Sequence, residues 1–336
     1  MKKKALITGF TGMVGSHLAD YILKNSDWDI FGLVRWQDDY SNVNHLIDRI
    51  NNKNRVYLVY GDLLDHISLE NAIKKCSPDF TFHLAAQSYP LTSFESPVNT
   101  LDTNIIGTER LLDVLKTNYP KCIIHICSSS EVFGRVPSHK LPIDEDCGFH
   151  PASPYAISKV GTDLIGRYYA EAYKMTVMTT RMFTHTGPRR GDVFAESTFA
   201  KQIAMIENYL QEPIIYVGNL KSLRTWSDVR DAVRAYFMLV TINPTPGEYY
   251  NIGGNYTCTI EEMLKYLISL SKVENIQIKT DKARLRPIDA DAQIPDTRKF
   301  KRHTGWEPSI PFEKTMKDLL NYWREQISKY GQKINR

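Results

Sequence analysis

Through the first half of the chain, short runs of β-branched and apolar residues alternate with stretches in which apolar side chains recur every three or four positions. The runs at residues 5–8, 30–35, 56–60, 80–84, 123–127 and 177–182 suit strands covered on both faces. Residues 13–24, 68–76, 99–116 and 155–173 have helical spacing instead. This alternation predicts an α/β fold built on a doubly wound parallel sheet.

Beyond residue 182 the rhythm changes. Helices are predicted at 197–209, 227–239, 260–270 and 312–327, with strand-like pieces at 214–217 and 249–252. Thr259-Ile260-Glu261-Glu262 fits a capping box, in which hydroxyl and carboxylate satisfy each other's backbone N–H groups. A smaller mixed α/β C-terminal lobe is therefore expected. We assign residues 1–182 to the sheet domain and 183–330 to the lobe, with a later segment expected to cross back to the sheet edge.

With 336 residues, 42% hydrophobic and 24% charged, the chain is too apolar to be disordered and long enough for about two domains. Lys+Arg 42 against Asp+Glu 38 leaves a net charge of +4 with no basic block. That balance argues against a nucleic-acid partner and remains compatible with a small anionic ligand. The apolar run after Lys2-Lys3-Lys4 ends within a few residues, so it does not read as a signal peptide. No stretch approaches the roughly 20 apolar residues of a membrane span. The five cysteines are dispersed without a C-x-x-C, which points to reduced thiols and a cytoplasmic protein.

Gly9-Phe10-Thr11-Gly12-Met13-Val14-Gly15 lies between the first predicted strand and helix. Glycines there allow backbone N–H groups to approach a pyrophosphate, whose charge the helix N-terminus favours. The same glycines also suit a turn that only lets helix and strand pack. The second run ends in Arg35, where a cation suits a 2′-phosphate and hence NADP rather than NAD. Asp38 and Asp39 would be acidic ribose partners under a shifted register, and Arg35 as a solvated loop cation is the alternative. Gly61-Asp62-Leu63 follows the third run, either reaching an adenine or forming an ordinary turn.

Tyr155 and Lys159 are four apart, on one face of a predicted helix. An ammonium beside the phenol would lower its pKa and make it a usable base. A partly buried tyrosine with an exposed lysine is the plain alternative. Ser128-Ser129-Ser130-Glu131 follows the fifth run, and the carboxyl ends of parallel strands face the ligand crevice. Ser129 and Glu131 are thus candidates for hydroxyl binding and acid–base work, against a solvent-facing serine-rich loop. His83 and His125 fall on predicted strands without metal-ligand spacing, so structural roles are expected and no metal.

Together, the Gly9/Gly12/Gly15 loop, His83-Leu84-Ala85-Ala86-Gln87-Ser88, Ser129-Ser130-Glu131 and the Tyr155/Lys159 pair resemble the extended short-chain dehydrogenase/reductase superfamily, whose sheet is a Rossmann fold. Over nearly its full length the chain is most similar to GDP-mannose 4,6-dehydratases. The marks are Ala85-Ala86-Gln87-Ser88 with Ser93-Phe94-Glu95-Ser96-Pro97, then Gly187-Pro188-Arg189-Arg190-Gly191. Gly218-Asn219-Leu220, Ser222-Leu223-Arg224 and Leu285-Arg286-Pro287 extend the likeness into the lobe.

The resemblance implies NADP held by Thr8, Gly9, Thr11, Gly12, Met13, Val14 and Gly15 of the loop. It adds Arg35, Asp62 and Leu63, then Leu84, Ala85 and Ala86, and finally Tyr155, Lys159 and Arg190. A GDP-linked sugar would meet Ser88, Ser129, Glu131, Arg189, Gly218, Asn219, Arg224 and Arg286. The last two would sit near the diphosphate, or form surface ion pairs. The implied lyase reaction has Tyr155, tuned by Lys159 and helped by Ser129, take the O4 proton as C4 is oxidised. Glu131 then removes the C5 proton and assists loss of water from C6, where the hydride returns. The Arg189-Arg190 segment is expected to reach a neighbouring subunit's cofactor region. That implies a homotetramer, or at least a homodimer built on the 99–116 and 155–173 helices.

Departures cluster near the substrate. Thr184 stands where the family has Asn, Ser129 replaces Thr, Phe133 replaces Tyr, and Tyr89-Pro90-Leu91 is unusual. They leave a GDP-manno-heptose open as substrate. A GDP-4-keto-6-deoxysugar 4-reductase is the rival enzyme, on Phe199-Ala200-Lys201-Gln202-Ile203 and Glu212-Pro213-Ile214-Ile215. A non-catalytic NADP-binding regulator would need no Ser–Tyr–Lys–Glu set.

Overall fold

The computed structural model describes residues 2–285 and 291–331. In its first half, β1 (Lys4–Thr8), α1 (Met13–Asn25), β2 (Asp29–Val34), α2 (Ile47–Asn51), β3 (Val56–Tyr60) and α3 (His66–Cys76) come first. Next are β4 (Phe80–His83), α4 (Pro90–Glu95), α5 (Pro97–Leu101), α6 (Gly107–Asn118), β5 (Ile123–Cys127), α7 (Pro154–Tyr173) and β6 (Val177–Met182). The second half begins with β7 (His185–Thr186), α8 (Ala195–Glu207), β8 (Ile214–Val217), β9 (Leu223–Asp228), α9 (Val229–Thr241) and β10 (Tyr249–Ile252). It ends with β11 (Tyr256–Thr259), α10 (Ile260–Ser269), β12 (Gln277–Thr280), β13 (Ala292–Gln293), α11 (Arg298–Thr304) and α12 (Phe312–Tyr330).

Seven strands form one parallel sheet in the order β10-β6-β5-β4-β1-β2-β3. Successive side chains of each strand serve opposite cores. Ala5 and Ile7 pack with α1 and α9, whereas Leu6 packs with α3, α6 and α7. This two-sided burial is why the strands read as apolar runs rather than alternating ones. The strand order reverses between β1 and β4, and that switch point opens the crevice in which ligands of such sheets bind. β10 lies parallel to β6 at one edge.

The lobe packs α8, α10 and α12 around Phe199, Trp226, Met263, Leu267 and Met316. Beside them β9 pairs antiparallel with β11 and parallel with β13. Two bonds at 2.7 Å, Ile143 N–H to Ile294 O and Asp296 N–H to Ile143 O, tie the segment around β13 to the sheet domain.

Two sequence expectations need correction. The helix expected over 99–116 is interrupted by a π-helical turn at Asp102–Ile106. There Asn104 leaves the regular ladder to bond the backbone of Gln87 and the hydroxyl of Ser158. The helix expected from 227 starts at Val229, because Ser227 and Asp228 finish β9 and the Asp228 carboxylate caps the helix by accepting from Arg230 N–H.

Candidate active site

The crevice begins at the glycine loop. Gly9 has φ +69° and a Cβ there would lie 2.9 Å from Ala85 N, so only glycine fits. A Cβ on Gly15 would come within 2.3 Å of Gly9 O, so this glycine lets α1 sit directly on the turn. Gly12 caps α1 without a side chain, and the first turn carries no acidic residue. The N–H groups of Met13 and Val14 are thus left facing the cleft with the positive end of the helix behind them. Thr11, Gly12, Met13, Val14 and Arg35 line this end. The Arg35 guanidinium is half exposed and held by Asp38 at 2.9 Å. These donors fit a dinucleotide diphosphate with an added phosphate nearby.

Four residues expected at the cofactor lie beneath or beside the cleft. Thr8 is fully buried. Its hydroxyl accepts from Leu84 N–H and Ala85 N–H, both at 3.0 Å, and lies 2.9 Å from His83 Nδ1. Two amides occupy its lone pairs, so its proton goes to Nδ1 and Nε2–H donates to Thr108, 2.9 Å away. Burial drives the His83 pKa down to about 3, keeping this bridge neutral. Asp62 is spent on a turn, accepting from Leu64 N–H at 3.0 Å. Leu63 is buried in the core under α6. Leu84, Ala86 and Ser88 line the cleft, while Ala85 packs toward the core and donates its N–H to Thr8.

At the middle of the cleft, α7 presents Tyr155 and Lys159. Ser153 caps this helix by accepting from Ala156 N–H, and Pro154 takes its first turn, a position where proline's missing N–H is not needed. Lys159 is buried, and its Nζ donates to Cys127 O at 2.7 Å. Burial lowers its pKa. Tyr155 is buried too, and that burial raises its pKa, which a hydrogen bond from Ser129 and the charge of Arg190 oppose. The expected lowering by Lys159 is corrected here: the ammonium is turned to the end of β5, and Ser129 and Arg190 act on the phenol instead.

Ser129 and Glu131 stand on a short 3₁₀ turn after β5. Ser129 Oγ accepts from Glu131 N–H at 3.2 Å, so one hydroxyl contacts both the phenol and the turn bearing the carboxylate. Electrostatic repulsion from the neighbouring Cys127 and Glu131 pushes the Tyr155 pKa further up. Two residues not singled out from sequence complete this point. Gln293 of β13 is buried and lies 3.4 Å from Glu131 Oε1. Asn104 holds the Gln87 turn above α7. Neither has a local pattern that could have revealed it, since both act through partners distant in sequence.

Arg190 is partly buried, ion-paired to Glu196 at 3.1 Å and seated over the Phe194 ring. Arg189 is in the left-handed region, φ 69°, and reaches Asp20 at 2.7 Å. His17 Nε2 lies 3.1 Å from Pro188 O. Within the single chain the segment therefore lies against α1. Asn42 secures it, donating to Thr11 O at 3.1 Å and Arg189 O at 3.4 Å.

The far end of the cleft is made by the lobe. Gly218, Asn219 and Arg224 line it, and Arg224 stands in register opposite Gln293. Thr184 also faces the cleft. Arg286 lies outside the described residues. Among the described residues no group of His, Cys, Asp and Glu is placed to hold a metal ion, and no helix is long and apolar enough to cross a membrane.

The family model for GDP-mannose 4,6 dehydratase matches residues 6–319. The chain belongs to the GDP-mannose 4,6-dehydratase family. A GDP-mannose 4,6-dehydratase of Yersinia enterocolitica is 30% identical, covering 95% of this chain and 93% of that protein. A GDP-6-deoxy-D-mannose reductase of Pseudomonas aeruginosa is 29% identical, covering 97% and 99%. The solved structure of RMD from Pseudomonas aeruginosa complexed with NADPH superposes with a TM-score of 0.81 at 27% identity, over 96% of this chain and 100% of that one. The chain is an enzyme of this family, for which an NAD(P) cofactor is typical and a GDP-sugar substrate is implied. The relatives include both lyases and a reductase.

Proposed function

We propose that the chain is a GDP-sugar 4,6-dehydratase, converting GDP-mannose to GDP-4-keto-6-deoxymannose with NADP as its resident cofactor. The observation that carries this reading is the meeting of Tyr155, Ser129 and Glu131 at one point of the cleft, with Ser129 bonded to both of the others. A reaction with two successive proton removals needs two such groups side by side. The bound nicotinamide supplies a site that accepts one hydride and gives it back.

Tyr155 accepts the O4 proton, with Ser129 aligning the sugar hydroxyl. The C4 ketone that results acidifies the C5–H bond, and Glu131 takes that proton. Glu131 then protonates the departing C6 hydroxyl, so water leaves and C5 and C6 become doubly bonded to each other. Hydride at C6 and a solvent proton at C5 complete the product while Tyr155 releases the proton it took from O4, with no net oxidation. Acid–base assistance of this kind contributes about 10²–10⁴-fold. Pre-positioning and the Arg224 guanidinium at the diphosphate supply more. Arg35 at the end of β2 supports NADP over NAD.

The reductase reading is favoured by the 29% identity to GDP-6-deoxy-D-mannose reductase over nearly both chains. The two separate on reductant. Incubating the enzyme with a panel of GDP-sugars and no added reductant, followed by mass spectrometry, should show GDP-mannose losing one water. Activity only on a preformed keto sugar with stoichiometric NADPH would establish the reductase instead, and water loss only from a GDP-manno-heptose would move the substrate.

A further inference from the structure

Gln293 reaches from the lobe into the acid–base site of the sheet domain. Its side chain is buried at the end of β13. Its Oε1 accepts from the Ser130 hydroxyl at 2.8 Å, which leaves Nε2 to face Glu131 Oε1 at 3.4 Å. Ser130 and Glu131 are adjacent on the 3₁₀ turn, so one carboxamide grips two neighbouring side chains in a fixed sense. The Glu131 carboxylate, which only accepts, settles which end of the amide points to it: a flipped amide would place oxygen against oxygen there, and the Ser130 hydroxyl donates to the end that remains.

The backbone adds a second constraint. Gln293 pairs in register with Arg224 on β9, and Ile143 and Ile294 bond across the domains just beyond it. Glu131 is thereby tied to the same strand pair that carries a cleft-lining arginine. Tyr155 of α7 is the titratable group whose charge state Glu131 influences from this turn.

We propose that Gln293 is a positioning residue that aims the Glu131 carboxylate at the sugar for the water-elimination half of the reaction, without a part in the oxidation half. This rests on the dehydratase reading above. Donation from Nε2 holds one carboxylate oxygen, leaving the other free for the sugar's C5 proton. The side-chain hydrogen bonds of Gln293 go to Ser130 and Glu131 rather than to Tyr155 or Ser129, so oxidation at C4 proceeds without it.

Gln293→Met keeps the volume and removes both hydrogen-bonding ends. With GDP-mannose it should lower kcat by up to ~100-fold, the cost of a misplaced group, with KM unchanged. Quenching into borodeuteride should trap a 4-ketone that still carries its C6 hydroxyl. A C5-deuterated substrate should show a larger isotope effect than in the wild type. Ser130→Ala, which frees the amide to turn, should show the same signature more weakly, and it carries the test where Gln293→Met fails to fold by circular dichroism. Wild-type kcat in a folded variant, or lost kcat with no trapped ketone, overturns the role of Gln293 alone. A wild-type enzyme that loses no water without reductant overturns the dehydratase reading, and this role with it.

Discussion

Tyr155 sits among opposing influences: burial and the nearby Cys127 and Glu131 favour its neutral form, while Ser129 and Arg190 favour the phenolate. In the proposed reaction this phenol is the group that takes the O4 proton. Tyr155→Phe should therefore abolish turnover by about 10²–10⁴-fold while leaving GDP-mannose affinity intact by calorimetry. Arg35 belongs to the cofactor end. Its loss in Arg35→Ala should weaken NADPH about 10- to 100-fold, the worth of a charge-assisted bond, and leave NADH unchanged in a fluorescence titration.

The histidines make a pH prediction. Burial drives His17 and His185 down to about 4 and His83 and His125 down to about 3, from an unfolded value near 6.5. Between these limits the unfolded chain binds more protons than the folded one. Their contribution is complete above about pH 6.5 and is lost as pH falls toward 4 and then 3, each histidine adding up to ~1.4 kcal/mol per pH unit. Urea midpoints should fall steadily from pH 7 to pH 5, and a flat profile would contradict the burial of these rings as neutral groups. At this scale Tyr155, Lys159, Ser129 and Glu131 were legible from spacing and position after a strand. The partner of Lys159 was not, because the carbonyl of Cys127 comes from another element.

Elements were legible where local chemistry fixes them. The capping box at Thr259 forms with both bonds, Glu262 N–H to Thr259 Oγ1 at 3.1 Å and Thr259 N–H to Glu262 Oε2 at 2.8 Å. Thr259→Ala should cost about 0.5–2 kcal/mol, read as a lowered thermal midpoint with kcat unchanged. The strands β9, β11, β12 and β13 escaped sequence reading since their pairing is decided by distant partners: β9 joins β11, β13 and β7. The π-helical turn escaped for a related reason. A continuous apolar spacing is satisfied by either helix type, and only the demand of Gln87 and Ser158 for Asn104 selects the wider turn. Such turns concentrate at functional sites.

One cleft runs from the glycine loop of the sheet domain to Gly218 and Arg224 of the lobe, with Tyr155, Ser129 and Glu131 between them; under the proposed function the first end would hold the cofactor and the second the diphosphate. Outside the cleft, Val98, Ile106, Ile157, Leu164 and Tyr168 are exposed large apolar residues on α5, the π-helical turn and α7. We propose that a second copy of the chain covers this face, giving a dimer. Leu164→Glu should shift sedimentation from dimer to monomer with the fold intact, and an unchanged particle would place the subunit contact elsewhere. The fold class followed from strand–helix rhythm alone. The contacts of the Arg189-Arg190 segment within the chain did not, since they are made with Asp20 and Asn42 far away in sequence.

The most direct test is the fate of one labelled hydrogen. GDP-mannose carrying deuterium at C4, mixed with unlabelled GDP-mannose and no reductant, should yield product with deuterium at C6 of the molecules that began with it. Deuterium lost from the sugar, or product formed only when NADPH is supplied and consumed, would contradict the dehydratase account.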